Sequence, residues 1–304
     1  MCIKRSLVFC LILLLGSCSS KPSIDELKRQ IQATLAEHKG EFAVAFKDLG
    51  TGDQLLINEH ALFHAASTMK TPVMIEVYKQ AADGKFSLTD SLTIRTEFNS
   101  IVDSTFSLSP EDDSEHDLYT LAGKKTTISD LVYRMITLSS NLATNILIDH
   151  IGATNVTQTM RTLGANDILV LRGVEDGKAF RAGLNNKTTA YDLMVIFEKM
   201  ALGETVSPQA SDEMIKVLSA QEFNTIIPAK LPKDVKVAHK TGWITGLNHD
   251  SGIVYLPDGR KYVLVILSHK LENEEQARAA MADVSAAIYS FVTGEAITTA
   301  TTNL

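Results

Sequence analysis

Strand-like segments stand at both ends of this 304-residue chain, with a long helical stretch between them. Phe42 to Lys47 and Gln54 to Ile57 read as strands joined by Gly50-Thr51-Gly52, a hairpin signal. Val235 to His239, Gly252 to Leu256 and Tyr262 to Ser268 read as three more, with Pro257-Asp258-Gly259 turning between the last two. A two-stranded piece is marginal by itself, so the strands of the two termini must pair with each other. Ile24 to His38 carries Ile24, Leu27, Ile31 and Leu35 at helical spacing, and Glu272 to Val292 reads as a long closing helix. Residues from about 67 to 225 are mainly helical. Thr127-Ile128-Ser129-Asp130 and Thr189-Ala190-Tyr191-Asp192 read as capping boxes, and Gly152 and Gly203 as helix stops. The expected class is α/β (α+β): an antiparallel sheet flanked by the N- and C-terminal helices, plus an inserted helical lobe. The α/β lobe is drawn at 24–66 and 228–293 and the helical lobe at 67–227. Together they make a single catalytic domain within 19–304, with the site in the cleft between them, where ligands are favoured.

The first residues belong to a leader. Lys4 and Arg5 precede an apolar run from Leu7 to Leu15, too short to span a bilayer and suited to an export signal. Leu15-Gly16-Ser17-Cys18 resembles the bacterial lipobox. The resemblance implies a lipoprotein signal peptide at 1–18, lipidation of Cys18, and a polar tether from Ser19 to Ser23. The protein is then exported and lipid-anchored in the bacterial envelope, facing the periplasm or the cell exterior; ordinary cleavage nearby is the alternative. Cys2 and Cys10 leave with the leader, so no internal disulfide can form and the core alone must hold the fold. With 36 acidic against 29 basic residues and no basic block, the chain is a poor nucleic-acid binder. No Cys/His metal spacing exists, no cofactor is called for, and a monomer is expected.

Three short motifs carry chemistry. In Ser67-Thr68-Met69-Lys70 the i and i+3 side chains share a helix face, so the Lys70 amine could serve the Ser67 hydroxyl. A serine is a weak nucleophile without such a base. Ser139-Ser140-Asn141 is the chain's one Ser-x-Asn and falls between two helices. Lys240-Thr241-Gly242 closes the strand from Val235, where glycine lets a ligand approach an edge-strand backbone. Each alone has an ordinary reading as helix surface, polar connection or strand end. Together they occur once each, in this order, at lobe boundaries and helix junctions.

That ordered set resembles the motifs of penicillin-binding proteins and class A β-lactamases, over about residues 24 to 293. The resemblance implies a class A-like serine β-lactamase, a hydrolase of cyclic amides that confers antibiotic resistance. It implies that Ser67 attacks the carbonyl, with Lys70 as base at a depressed pKa, lowered by neighbouring Lys240. Ser139 would pass a proton to the leaving nitrogen, and Asn141 would hold the substrate's side-chain amide. Lys240 and Thr241 would bind its carboxylate. The backbone N–H groups of Ser67 and Trp243 would form the oxyanion hole, beside Gly242. Deacylation in the family uses a loop glutamate, and Glu175 lies 36 residues beyond Ser139. Asn145 matches an asparagine that braces that loop.

The chain also departs from the pattern. Arg172 stands three before Glu175, Ala179 replaces the family's asparagine, and Asn185 and Asn186 come too late unless the loop takes another path. Glu175 is therefore either the deacylating base or a surface carboxylate. Ser140 stands where Ser-Asp-Asn has aspartate, and Ser251 where many relatives place a carboxylate-binding arginine. His249-Asp250 reads as a strand-entry turn. Glu111-Asp112-Asp113 with Glu115 and Asp117 reads as a solvated acidic loop, and His60 and His64 lack a third metal ligand. Trp243 is either sheet packing or a cleft wall. Competing readings are a D-alanyl-D-alanine peptidase or other penicillin-interactive envelope hydrolase, and a non-catalytic lipoprotein that binds cell-wall peptide.

Overall fold

The alternation read at the two ends of the chain becomes one sheet with two buried faces. The computed structural model describes residues 22–295; the leader with Cys2, Cys10 and Cys18, and the tail from Thr298, lie outside the described residues. The strands are β1 (Glu41–Asp48), β2 (Gln54–Ile57), β3 (Phe63–His64), β4 (Ser91–Thr93), β5 (Glu97–Asn99), β6 (Thr105–Ser107), β7 (Lys125–Thr127), β8 (Lys187–Thr188), β9 (Lys236–Ile244), β10 (Leu247–Tyr255) and β11 (Lys261–His269). An antiparallel sheet runs in the order β2-β1-β11-β10-β9. Ala45 of β1 sits opposite Val265 of β11, which joins the chain's two ends. The remaining strands form the pairs β3–β8, β4–β7 and β5–β6.

Helices follow as α1 (Ile24–Ala36), α2 (Lys70–Ala82), α3 (Ile128–Thr137), α4 (Asn141–Ile151), α5 (Ala153–Thr162), α6 (Gly177–Arg181), α7 (Ala190–Ala201), α8 (Pro208–Ser219) and α9 (Glu274–Thr293). Period-two alternation divides the sheet residues between two cores. Val44, Phe46, Leu264 and Ile266 pack with Leu27 and Ile31 of α1 and Met281 and Ile288 of α9. Ala43, Ala45, Val263 and Val265 turn the other way, into the core of the helical lobe. Small alanines on that side let α7 lie close against β1. Thr127 and Thr189 cap α3 and α7 as expected, accepting from Asp130 N and Asp192 N. Gly152 ends α4 at φ +80°, a value glycine adopts without strain.

α2 lies at the centre of the helical lobe, against α3, α4, α5 and α8. Most of its polar side chains are buried and so need partners. Glu76 accepts from Gln80 (2.6 Å) and Thr159 (2.5 Å), and Gln80 also donates to Ile151 O (2.9 Å). These bonds make α2 a fixed platform for the lysine at its first turn. Two strands differ from expectation: β9 continues through Lys240-Thr241-Gly242 to Ile244, and β10 begins at Leu247. His249 and Asp250 therefore lie inside a strand, fully buried, and not in an entry turn.

Candidate active site

Ser67 sits in a 3-10 turn, Ala66–Met69, between β3 and α2. Ala66 has φ +44°, a left-handed conformation costing an alanine about 1–2 kcal/mol. The surrounding bonds hold it there. Ala66 N–H donates to His64 Nδ1 (3.0 Å), and Thr68 donates to Ala65 O through N (3.1 Å) and Oγ1 (2.6 Å). His64 O in turn lies 3.0 Å from His249 Nε2 on the sheet. Burial pushes the His249 pKa down to about 4, so that contact keeps one protonation state at neutral pH. The Lys70 N–H donates to Ser67 O, which places the lysine one turn on from the serine.

Lys70 is fully buried, and its Nζ donates to Ser139 O (2.6 Å), Ser139 Oγ (3.3 Å) and Asn141 Oδ1 (2.9 Å). Lys240, also fully buried, approaches from the sheet side and donates to Ser139 Oγ at 3.0 Å. One hydroxyl thus lies between two amines, carried by a residue at φ +57°. Burial lowers the Lys70 pKa to about 7, against the opposing pull of Asp113 and Glu175. Lys240 is also driven well down, first by burial and then by Lys70, with Asp250 opposing. The depressed lysine pKa expected from the sequence is present, but its main cause at Lys70 is burial; the repulsion between the amines falls on Lys240.

The segment carrying Glu175 takes a longer path than the family pattern implies. Asn186 closes it: its Oδ1 accepts from Leu171 N (2.8 Å) and Arg172 N (3.3 Å), and its Nδ2 donates to Arg172 O (3.0 Å). The buried Arg172 guanidinium donates to Leu184 O (2.9 Å), Gly173 O (3.0 Å) and Asn185 Oδ1 (3.2 Å). Asn145 brackets Val174, donating to its carbonyl (3.0 Å) and accepting from its N–H (2.7 Å). A Cβ on Gly173 would come within 2.1 Å of Asn145 Oδ1, so this position requires glycine. Beyond Glu175, Asp176 accepts from Ala179 N (3.0 Å), Ser100 Oγ (3.1 Å) and Ile101 N (3.1 Å), docking the loop on the β5–β6 hairpin. Asn185 and Asn186 are therefore not too late, and Ala179 is the buried residue of the short helix α6.

Glu175 is held between these anchors at φ +59°. It lines the cleft, and its Oε1 accepts from Asn141 Nδ2 at 3.2 Å. Desolvation and the carboxylates of Asp112 and Asp113 push its pKa up, while Lys70 and Arg172 oppose. The cleft encloses about 780 Å³, and Ser67, Ser139, Asn141, Glu175 and Trp243 line it. Trp243 is 58% exposed at this border, which makes it a cleft wall and not sheet packing.

Thr241 is buried opposite Asp250 on β10. Asp250 is engaged with His239 Nδ1 (2.8 Å), Ile227 N (3.0 Å) and Ser251 N (2.9 Å). The acidic stretch is solvated only in part, at Glu111, Asp112 and Asp117. Asp113 and Glu115 are buried; Asp113 accepts from the first turn of α4, and Glu115 accepts from Arg134 (2.8 Å) and Leu118 N (3.0 Å). His60 stacks on Tyr191 with ring centroids 4.7 Å apart.

Gly242 fixes the width of the site. A Cβ there would lie 3.0 Å from both Ser67 N and Thr68 N and 3.3 Å from Ala66 Cβ. These atoms are the strained turn itself and cannot yield by a side-chain rotation. Gly242→Ala is expected to push β9 off the Ser67 turn and slow the acylation that the sequence motifs imply about 100-fold, the scale of a 1 Å misplacement. Stopped-flow acylation beside a thermal melt checks this; a native acylation rate would mean that the turn tolerates the methyl group.

The model of the β-lactamase enzyme family matches residues 26–292. β-Lactamase VEB-1 of Pseudomonas aeruginosa is 24% identical over 304 residues, covering 95% of this chain and 98% of its own length. A β-lactamase of Streptomyces cellulosae is 26% identical over 247 residues, covering 80% and 76%. Among solved structures, the β-lactamase from Sphaerobacter thermophilus DSM 20745 is similar at TM-score 0.77 and 26% identity, over 90% of this chain and 98% of that one. A PBP-A mutant in acyl-enzyme complex with penicillin G gives TM-score 0.78 and 26% identity, over 90% and 99%.

Proposed function

The chain belongs to the β-lactamase enzyme family, and on that premise we propose that it hydrolyses the β-lactam amide through an acyl-enzyme on Ser67. Lys70, as free amine, takes the Ser67 proton while Oγ bonds to the carbonyl carbon. The oxyanion is received by the backbone N–H groups of Ser67 and Trp243. As the C–N bond breaks, the Ser139 hydroxyl gives its proton to the departing nitrogen and recovers one from the Lys70 ammonium. Lys240 and Thr241 hold the substrate carboxylate, and Asn141 its side-chain amide, with Gly242 and Trp243 bordering the cleft. In the second half Glu175 takes a proton from water, the hydroxide attacks the ester, and the proton is passed back from Glu175 to the departing Ser67 Oγ, which regenerates both groups.

The observation that carries this reading is the Ser139 hydroxyl bonded to two buried lysines while Asn141 ties Lys70 to Glu175. Such convergence serves proton transfer and has no packing rationale, since unpaired buried amines are costly. The peptidase alternative drew its motive from Ala179; Asn186 and Asp176 brace the loop in that place. Residues 19–304 make one catalytic domain acting as a monomer. Export and anchorage through Cys18 rest on the leader sequence. Purified protein is expected to turn over a chromogenic cephalosporin catalytically, read by absorbance. A stable adduct without turnover would favour a penicillin-interactive peptidase, and no labelling of Ser67 would leave only a binding protein.

A further inference from the structure

We infer that Asp113 is a positioning residue for this reaction: its buried carboxylate holds the backbone of Asn141 so that the Asn141 amide bridges Lys70 and Glu175. The inference rests on the β-lactamase reading above. Asp113 is 8% exposed and follows the 3-10 turn Pro110–Asp112, 28 residues before Asn141. Four donors meet on its carboxylate. Asn141 N–H lies 2.9 Å from both oxygens, Leu142 N–H 2.9 Å from Oδ2, Tyr119 OH 2.9 Å from Oδ2 and Glu115 N–H 3.2 Å from Oδ1.

The reason for this convergence lies in α4. The first N–H groups of a helix have no acceptor inside it. The Ser140 hydroxyl serves Ala143 N–H (3.2 Å), which leaves Asn141 and Leu142 to be satisfied from elsewhere. A distant loop supplies the carboxylate, and a negative charge suits the positive end of the helix. With the backbone held, the Asn141 side chain spans the two halves of the reaction. Its Oδ1 accepts from Lys70 (2.9 Å), and its Nδ2 donates to Glu175 Oε1 (3.2 Å) and Asp112 O (3.1 Å).

Asp113→Asn keeps the shape but turns an amide group toward backbone donors, so Asn141 must shift. Labelling of Ser67 by a fluorescent penicillin is expected to slow about 100-fold, with the adduct living longer and the thermal melt still cooperative. Asp113 acts through Asn141, so on an Asn141→Ala background the same change should cost no more than about twofold. Fully additive losses would reduce Asp113 to a fold stabiliser and overturn the inference. So would native labelling by Asp113→Asn. If that variant does not fold, Tyr119→Phe removes the side-chain donor that orients the Asp113 carboxylate toward Asn141 and Leu142, and so loosens their hold. Slower labelling by Tyr119→Phe supports the inference, and an unchanged rate overturns it. A native protein that takes no label overturns the functional reading and this inference with it, whereas a labelled native protein isolates the test on Asp113.

Discussion

Glu175→Gln is expected to acylate with penicillin at close to the native rate and then stop, accumulating the Ser67 ester. Glutamine keeps the Oε1 that accepts from Asn141 Nδ2 but cannot take a proton from water. Loss of a positioned general base costs about 10²–10⁴-fold, all of it in deacylation. Intact-protein mass spectrometry after mixing with a simple penicillin reads the adduct and its lifetime directly. Stability should not suffer. The folded pKa of Glu175 is raised, so its contribution is fully present below the unfolded value and is lost as pH rises through the folded one. At neutral pH a neutral side chain therefore removes a liability next to Asp112 and Asp113. Turnover unchanged by the substitution would assign the base elsewhere.

Lys70→Met is expected to remove acylation by about 10²–10⁴-fold with little change in melting temperature, although it alters a fully buried residue at the centre of the site. Two effects nearly cancel. A pKa lowered from 10.5 to about 7 means that burying the amine costs on the order of 5 kcal/mol at neutral pH. Methionine avoids that cost, but it leaves Ser139 O and Asn141 Oδ1 without their donor, at about 1–3 kcal/mol each. The sign with pH follows from the same shift. Between about 7 and 10.5 the unfolded chain holds a proton that the folded one has released. Native stability therefore rises with pH across that window, and the variant lacks this rise. In the native enzyme acylation should fall about tenfold per pH unit below about 7, as the free amine is lost. Melts at pH 7 and 10 beside stopped-flow acylation check both halves. A variant that acylates at the native rate would remove Lys70 from the role of base.

Much of the fold was legible because its signals are periodic and local. Val44 and Phe46 against Ala43 and Ala45 already divide β1 between two cores, and Thr127 and Thr189 announce the helices they cap. The residues proposed to acylate were legible as short motifs, and Asn145 as a position in a pattern. Where sequence reading failed, polarity was misleading. His249 and Asp250 look like a turn because polar pairs usually sit in solvent, yet Asp250 meets His239 across β9 and His249 meets His64. Asp113 looked like one more charge in an acidic run.

What the amino-acid order determined by itself is the sheet built from both termini, the helical insertion and the candidate nucleophile, because periodicity, caps and motif spacing are properties of neighbouring residues. What only the tertiary structure decided is how the nucleophile's surroundings are held. His249 bonds His64 beside the strained turn, Asp176 docks on a hairpin 75 residues away, Asn186 closes the Glu175 loop and Asp113 supports Asn141. Each of these polar groups could equally have faced water, and only burial beside a partner distant in the chain gives it a structural role.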